Sequence, residues 1–211
     1  MKRLVVGIGG VVQHLCDNHV VTNGGKSTLA KSLYEQIPNS YIIPQDSYFK
    51  DDCLVPVDRN GFKQYDTLDA LNMNKMMTEV DSWRADPLSF LRQRGLNIKS
   101  SPAIKQVYVL IVEGFLIFNY RPLNELFDKR YLLEIPYDVC KRRRSSREYS
   151  PPDPPGYFDG YVWPIYQINL QEMERTTSDI VFLDGLKPKE ELLAAVREDI
   201  WQEIDRLKEK N

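Results

Sequence analysis

Four groups of residues in this chain have types and spacings that suit chemistry on phosphates and sugars. Near the amino terminus runs Asn23-Gly24-Gly25-Lys26-Ser27-Thr28. Backbone N–H groups at a helix start cradle phosphate, a lysine reaches its outer oxygens, and the neighbouring hydroxyl can ligate Mg²⁺. The second group is acidic: Asp46 follows one short apolar run and Glu113 closes another, Val107–Val112. A carboxylate at the carboxyl end of a parallel strand reaches the crevice where ligands bind. Glu113 lies inside an apolar run, where an unpaired carboxylate is costly and Mg²⁺ is its natural partner. The third group is basic, Lys141-Arg142-Arg143-Arg144 with Arg147. Helical spacing sets Arg143 and Arg147 on one face with Arg144 beside them, a face able to meet polyphosphate. The fourth is Tyr65-Asp66 with Tyr149. A carboxylate accepts hydrogen bonds, and an aromatic ring offers a flat packing face.

These groups need a scaffold, and the apolar pattern supplies one. Short runs at Leu4–Ile8, Tyr41–Ile43, Val107–Val112, Tyr131–Ile135 and Ile180–Leu183 read as five strands buried on both faces. Between them lie helix patterns at Lys26–Gln36, Asp69–Trp83, Pro87–Gln93, Pro122–Asp128, Tyr137–Arg147 and Val162–Arg175. A last helix, Pro188–Lys210, carries Leu192, Val196, Ile200, Ile204 and Leu207 on one stripe. The alternation predicts an α/β three-layer fold with a five-stranded parallel sheet and helices on both faces. At 211 residues the chain reads as one domain, residues 1–211. The proline-rich stretch Tyr149–Pro164, a long loop between two helices, reads with the basic helix as a lid over about 141–164.

The phosphate motif departs from its full pattern. G-x-x-x-x-G-K-S needs a glycine at position 20, where this chain has Val20. Removing residues 11–20 joins Gly10 to Val21 and restores GIGGVTNGGKST, so VVQHLCDNHV reads as a ten-residue insertion at the tip of the first strand-to-helix turn. His14, Cys16 and His19 within it lack a fourth ligand at zinc-finger spacing.

Composition removes other classes. A net charge of −2 gives no field for general nucleic-acid binding. Three scattered cysteines, an odd number, suit a reducing, cytoplasmic setting. The longest apolar stretch, Val107–Phe118, is about half of the roughly 20 residues a membrane helix needs, so membrane insertion is not expected.

With the insertion set aside, the P-loop, QDSYFK at 45–50, NGFKQYD at 60–66, LIVEGFLIFNY at 110–120, the 135–164 segment and VFLDGLK at 182–187 resemble the nicotinamide riboside kinases almost end to end. TNGGK, GFKQ and PDPPG look closer to the muscle-type branch. The resemblance implies a P-loop NTPase-type kinase that uses ATP or GTP with Mg²⁺ to phosphorylate the 5′-hydroxyl of nicotinamide riboside, and of nicotinic acid riboside, in NAD biosynthesis. By resemblance Asp46 accepts the proton and holds magnesium with Ser27 and Glu113. Gly10, Asn23, Gly24, Gly25, Lys26, Ser27, Thr28, Arg143, Arg147 and Lys187 bind the nucleotide, with Lys26, Glu113 and Arg143 also catalytic. Asp66 and Arg144 hold the ribose, Tyr65 and Tyr149 sandwich the nicotinamide, Asp153 lies near the carboxamide, and Tyr48 and Phe49 complete the riboside site. The muscle-type branch also carries an association with integrin tails. Two rival readings stand beside this one: a pyrimidine nucleoside kinase of the same fold, and a non-catalytic binding protein whose P-loop the insertion disables.

Overall fold

The computed structural model describes residues 1–10, 25–96, 106–146 and 153–209. Five strands, β1 (Lys2–Gly10), β2 (Ser40–Pro44), β3 (Val107–Glu113), β4 (Lys129–Glu134) and β5 (Ile180–Asp184), form one parallel sheet in the order β2-β3-β1-β4-β5. Seven α-helices accompany them: α1 (Lys26–Gln36), α2 (Met73–Ala85), α3 (Pro87–Gln93), α4 (Arg121–Asn124), α5 (Tyr137–Ser145), α6 (Trp163–Thr176) and α7 (Lys189–Glu209).

The period of two along the central strands sorts their side chains into two cores. Tyr108, Leu110 and Val112 of β3 join Val5 of β1 in a layer with α2, α3 and α6. Val107, Val109 and Ile111 join Leu4, Val6 and Ile8 in a layer with α1 and α7. The stripe on α7 falls as its spacing predicts, with Leu192, Val196, Ile200 and Ile204 all buried.

The register places the chemistry. Ile8 pairs with Glu113 and Pro44 with Glu113, while Gly10 pairs with Leu133. The carboxyl ends of β1, β2 and β3 therefore finish at one edge. After β1 the chain reaches β2 on one side, and after β3 it crosses β1 to β4, so the winding reverses at the β1–β3 boundary. That boundary is where an open α/β sheet offers a crevice.

Several expectations are corrected. Burial on both faces holds for most of β1, for β3 and for Tyr131–Leu133 of β4, only in part for edge strand β2, and not for β5 at the other edge, where Val181 and Phe182 are 45% and 46% exposed. The helix expected over Pro122–Asp128 ends at Asn124. Asp128 instead joins β1: its carboxylate accepts from the Val5 N–H at 2.7 Å and its own N–H donates to the Val5 carbonyl at 2.8 Å. The helix expected from Asp69 begins at Met73, after a 3₁₀ turn at Leu68–Ala70. Within the proline-rich stretch, Phe158–Val162 is already helical, one wide turn running directly into α6.

Candidate active site

Of the expected phosphate-binding end, the structure describes the start of α1. Gly25 caps α1 with φ 82°, in the left-handed region a side chain resists. Its carbonyl accepts from the Leu29 N–H at 2.9 Å, so the helix starts at Lys26, as the sequence predicts. Lys26 is 1% exposed, and Thr28 follows Ser27 in the first turn. Ser27 Oγ donates to Glu113 Oε1 at 2.8 Å. Glu113 is buried, and its Oε2 has no hydrogen-bond partner among the described residues. The insertion at 11–20, with its His14, Cys16 and His19, lies outside the described residues, as do Asn23 and Gly24.

Asp46 belongs to a 3₁₀ turn, Gln45–Tyr48, immediately beyond β2. Protein crowds its carboxyl although the residue keeps some surface. Burial raises its pKa to about 7, the Lys26 charge works against that rise, and Glu113 adds to it. The turn is pinned on both sides. Fully buried Gln45 accepts through Oε1 from the N–H groups of Phe115 and Leu116 at 3.0 and 2.9 Å. Gly114 leaves the room for it: a Cβ there would lie 2.5 Å from Gln45 Cβ and Oε1. Asp46 and Glu113 are thereby tied into one frame.

Tyr48, expected at the riboside, is turned into the core, where its hydroxyl donates to Glu79 of α2. Phe49 stacks on Phe115 at 5.8 Å and meets Tyr65 edge-on at 6.1 Å. The Tyr65 hydroxyl donates to Asp52.

A second polar cluster gathers Asp66, Arg144 and Asp153. Asp66 is 0% exposed and neither carboxylate oxygen has a hydrogen-bond partner among the described residues. Burial raises its pKa to about 7, with Arg144 lowering it and Asp153 raising it. Arg144, buried on α5, grips Asp153 with two bonds, Nε to Oδ2 at 2.7 Å and Nη2 to Oδ1 at 3.1 Å. Arg143, its half-buried neighbour, lies on the same helix. Arg147 and Tyr149 lie outside the described residues. Lys187 is exposed in the turn after edge strand β5, with Nζ on Glu191, two strands away from β1.

The sequence reading missed three residues around Asp66. Tyr157 and Tyr161 approach its segment from within the 141–164 stretch and Asn169 from just beyond it, and only the i, i+4 spacing of the two tyrosines carried a signal.

The donor set near the P-loop is a hydroxyl and two carboxylates, all hard oxygens, with one carboxylate oxygen orphaned in the interior. That set fits Mg²⁺, which binds through one or two carboxylates and completes its shell with water and phosphate. Among the described residues no three His, Cys, Asp or Glu side chains converge as a denser metal centre.

No family model matches the chain. It is 50% identical over 206 residues to nicotinamide riboside kinase 1 of Mus musculus, covering 98% of each chain. Against human nicotinamide riboside kinase 2 it is 45% identical over 202 residues, 96% of this chain and 83% of that protein. The Saccharomyces cerevisiae nicotinamide riboside kinase is 29% identical over 180 residues, with coverages of 72% and 75%. Human nicotinamide riboside kinase 1 is likewise 45% identical, and nicotinamide riboside kinase 2 of Mus musculus is 46% identical. Among solved structures, an unliganded sugar kinase from Janibacter sp. HTCC2649 superposes with a TM-score of 0.51 at 17% identity, over 93% and 92% of the two chains, a likeness of fold alone. With half of its residues shared along almost the whole length of the mouse protein, the chain belongs to the nicotinamide riboside kinase family.

Proposed function

We propose that this chain transfers the γ-phosphoryl group of ATP to the 5′-hydroxyl of nicotinamide riboside, and of nicotinic acid riboside, giving the mononucleotide for NAD biosynthesis. The observation that carries the proposal is the buried Asp66 carboxyl beside Arg144, neither oxygen of which has a hydrogen-bond partner among the described residues. A pair of hydroxyls on a ribose supplies the donors such a group lacks, and the pyridinium charge offsets its burial.

The remaining roles follow from placement. Lys26 lies at the start of α1, where its ammonium and the helix N–H groups meet phosphate oxygens. Asp46 is held at the crevice with its pKa near 7, suited to taking the 5′-hydroxyl proton as the new O–P bond forms. Arg143 supplies positive charge from the lid helix to the transferring group. Ser27, Asp46 and Glu113 would hold magnesium, which when bound neutralises charge between the phosphates. GTP fits the same phosphate contacts. A cytoplasmic setting belongs to this reading, in keeping with the free thiols of Cys53 and Cys140.

A steady-state assay with nicotinamide riboside and uridine side by side tests the proposal. A kcat/KM at least tenfold higher for nicotinamide riboside is expected. Equal or reversed values would make the chain a pyrimidine nucleoside kinase. Absence of ATP-dependent turnover with either would leave a binding protein.

A further inference from the structure

A buried carboxyl with no hydrogen-bond partner among the described residues is drawn out of its site, because turning outward recovers its hydration. Asp66 is in that position, so something other than its own carboxylate must hold it. The backbone around it is anchored from a part of the chain roughly one hundred residues away. The Tyr157 hydroxyl donates to the Lys63 carbonyl at 2.7 Å. Asn169 Nδ2 donates to the Asp66 carbonyl at 3.1 Å, and the Asp66 N–H donates to the Tyr161 hydroxyl at 3.4 Å.

These contacts rest on a small apolar core of their own, separate from the two that sandwich the sheet. Tyr157, Tyr161 and Val162 are buried there, packed by Phe62, Phe158 and Ile165. Tyr157 and Tyr161 stack at 5.2 Å, and Phe62 meets Tyr157 edge-on at 5.4 Å. Segment 62–66 and the arm 157–169 are thus packed together. The tyrosine rings carry the weight of packing, while their hydroxyls and the Asn169 amide contribute direction.

We propose that Tyr157, Tyr161 and Asn169 are positioning residues for riboside binding, a clamp on the 63–66 backbone that keeps the Asp66 carboxyl in its buried place beside Arg144 before substrate arrives. The inference rests on the riboside-kinase reading for its ligand, but its geometry does not depend on which ribonucleoside binds. The clamp prepays the ordering of Asp66, so its loss appears in riboside affinity and not in nucleotide affinity.

The test uses the full chain with Tyr157→Phe, Asn169→Leu and Tyr161→Phe, of which the two Phe variants keep the aromatic core. Each lost bond is expected to raise KM for nicotinamide riboside about three- to tenfold, with KM for ATP and the thermal midpoint of the Phe variants nearly unchanged. Hydrogen exchange at the Asp66 amide, followed by NMR in the ligand-free protein, should quicken by a similar factor in all three. That second measurement does not need any substrate, so a wild-type chain inactive on nicotinamide riboside would overturn the functional reading while leaving the clamp to be judged by exchange. Unchanged riboside KM and unchanged Asp66 exchange would overturn the clamp. So would KM rising equally for riboside and ATP with a falling midpoint, the signature of a merely structural contact.

Discussion

Replacing Asp66 with Asn should stabilise the ligand-free protein while removing its riboside binding. Asn keeps the shape of the side chain, exchanges one oxygen for an NH2 group and cannot ionise. In the folded chain Asp66 holds its proton up to about pH 7, against an ordinary value of 3.8. A group that binds its proton more tightly when folded contributes stability in full below the unfolded value. That contribution declines as pH rises and is gone above the folded value, because unfolding then lets the carboxylate hydrate. The shift of about 3 units corresponds to roughly 4 kcal/mol at pH 8, of which about 2–3 kcal/mol is lost between pH 5 and pH 8. Thermal unfolding of wild type and Asp66→Asn at these two pH values isolates the effect, since other carboxyls titrate alike in both proteins and cancel in the difference. The advantage of the variant should grow by roughly 5–10 °C from pH 5 to pH 8. A difference that does not change with pH, or a variant less stable than wild type at pH 8, would refute the idea that Asp66 is buried at a cost.

Asp46→Asn should lose at least about a hundredfold in kcat while ATP affinity stays within about twofold, because Lys26 and the helix start remain; turnover near the wild-type rate would remove Asp46 from the mechanism. Gly114→Ala should lower stability by about 1–3 kcal/mol, since its Cβ would fall 2.5 Å from Gln45, and an unchanged unfolding midpoint would contradict that packing. Deleting residues 11–20 restores the spacing of the phosphate nest and should tighten ATP binding and raise kcat/KM at least about threefold, with the fold unaffected because loop length alone costs little. Equal ATP affinity in the two chains would mean that the insertion is a harmless bulge.

The scaffold was readable where local pattern and tertiary demand coincide. The glycine-to-lysine step that starts α1 at Lys26 is local chemistry. So is the start of α3, where Pro87 opens the helix and the Asp86 carboxylate accepts from the Ser89 N–H at 3.1 Å. Exposure of β5 was not readable, because an edge strand and a central strand carry the same apolar run and differ only in having a second neighbour. Residue type pointed to Asp66 and Arg144, but their meeting across 78 positions, and the grip of Arg144 on Asp153, are products of the fold. Tyr48 shows the opposite failure. Its motif pointed to the crevice, whereas the twist of a 3₁₀ turn sends its ring to Glu79, and no pattern in QDSYFK distinguishes the two directions. Gln45, Tyr157 and Asn169 act through backbone groups of distant segments, for which a single sequence carries no periodic sign.

The most direct test of the account is the stoichiometry of products from the purified full-length chain incubated with MgATP and nicotinamide riboside, read by ³¹P NMR. The account predicts one nicotinamide mononucleotide, phosphorylated at the 5′ oxygen, for each ADP formed, and neither product above background with Asp46→Asn. ADP and inorganic phosphate formed together without mononucleotide, or no turnover by the wild-type chain, would contradict it.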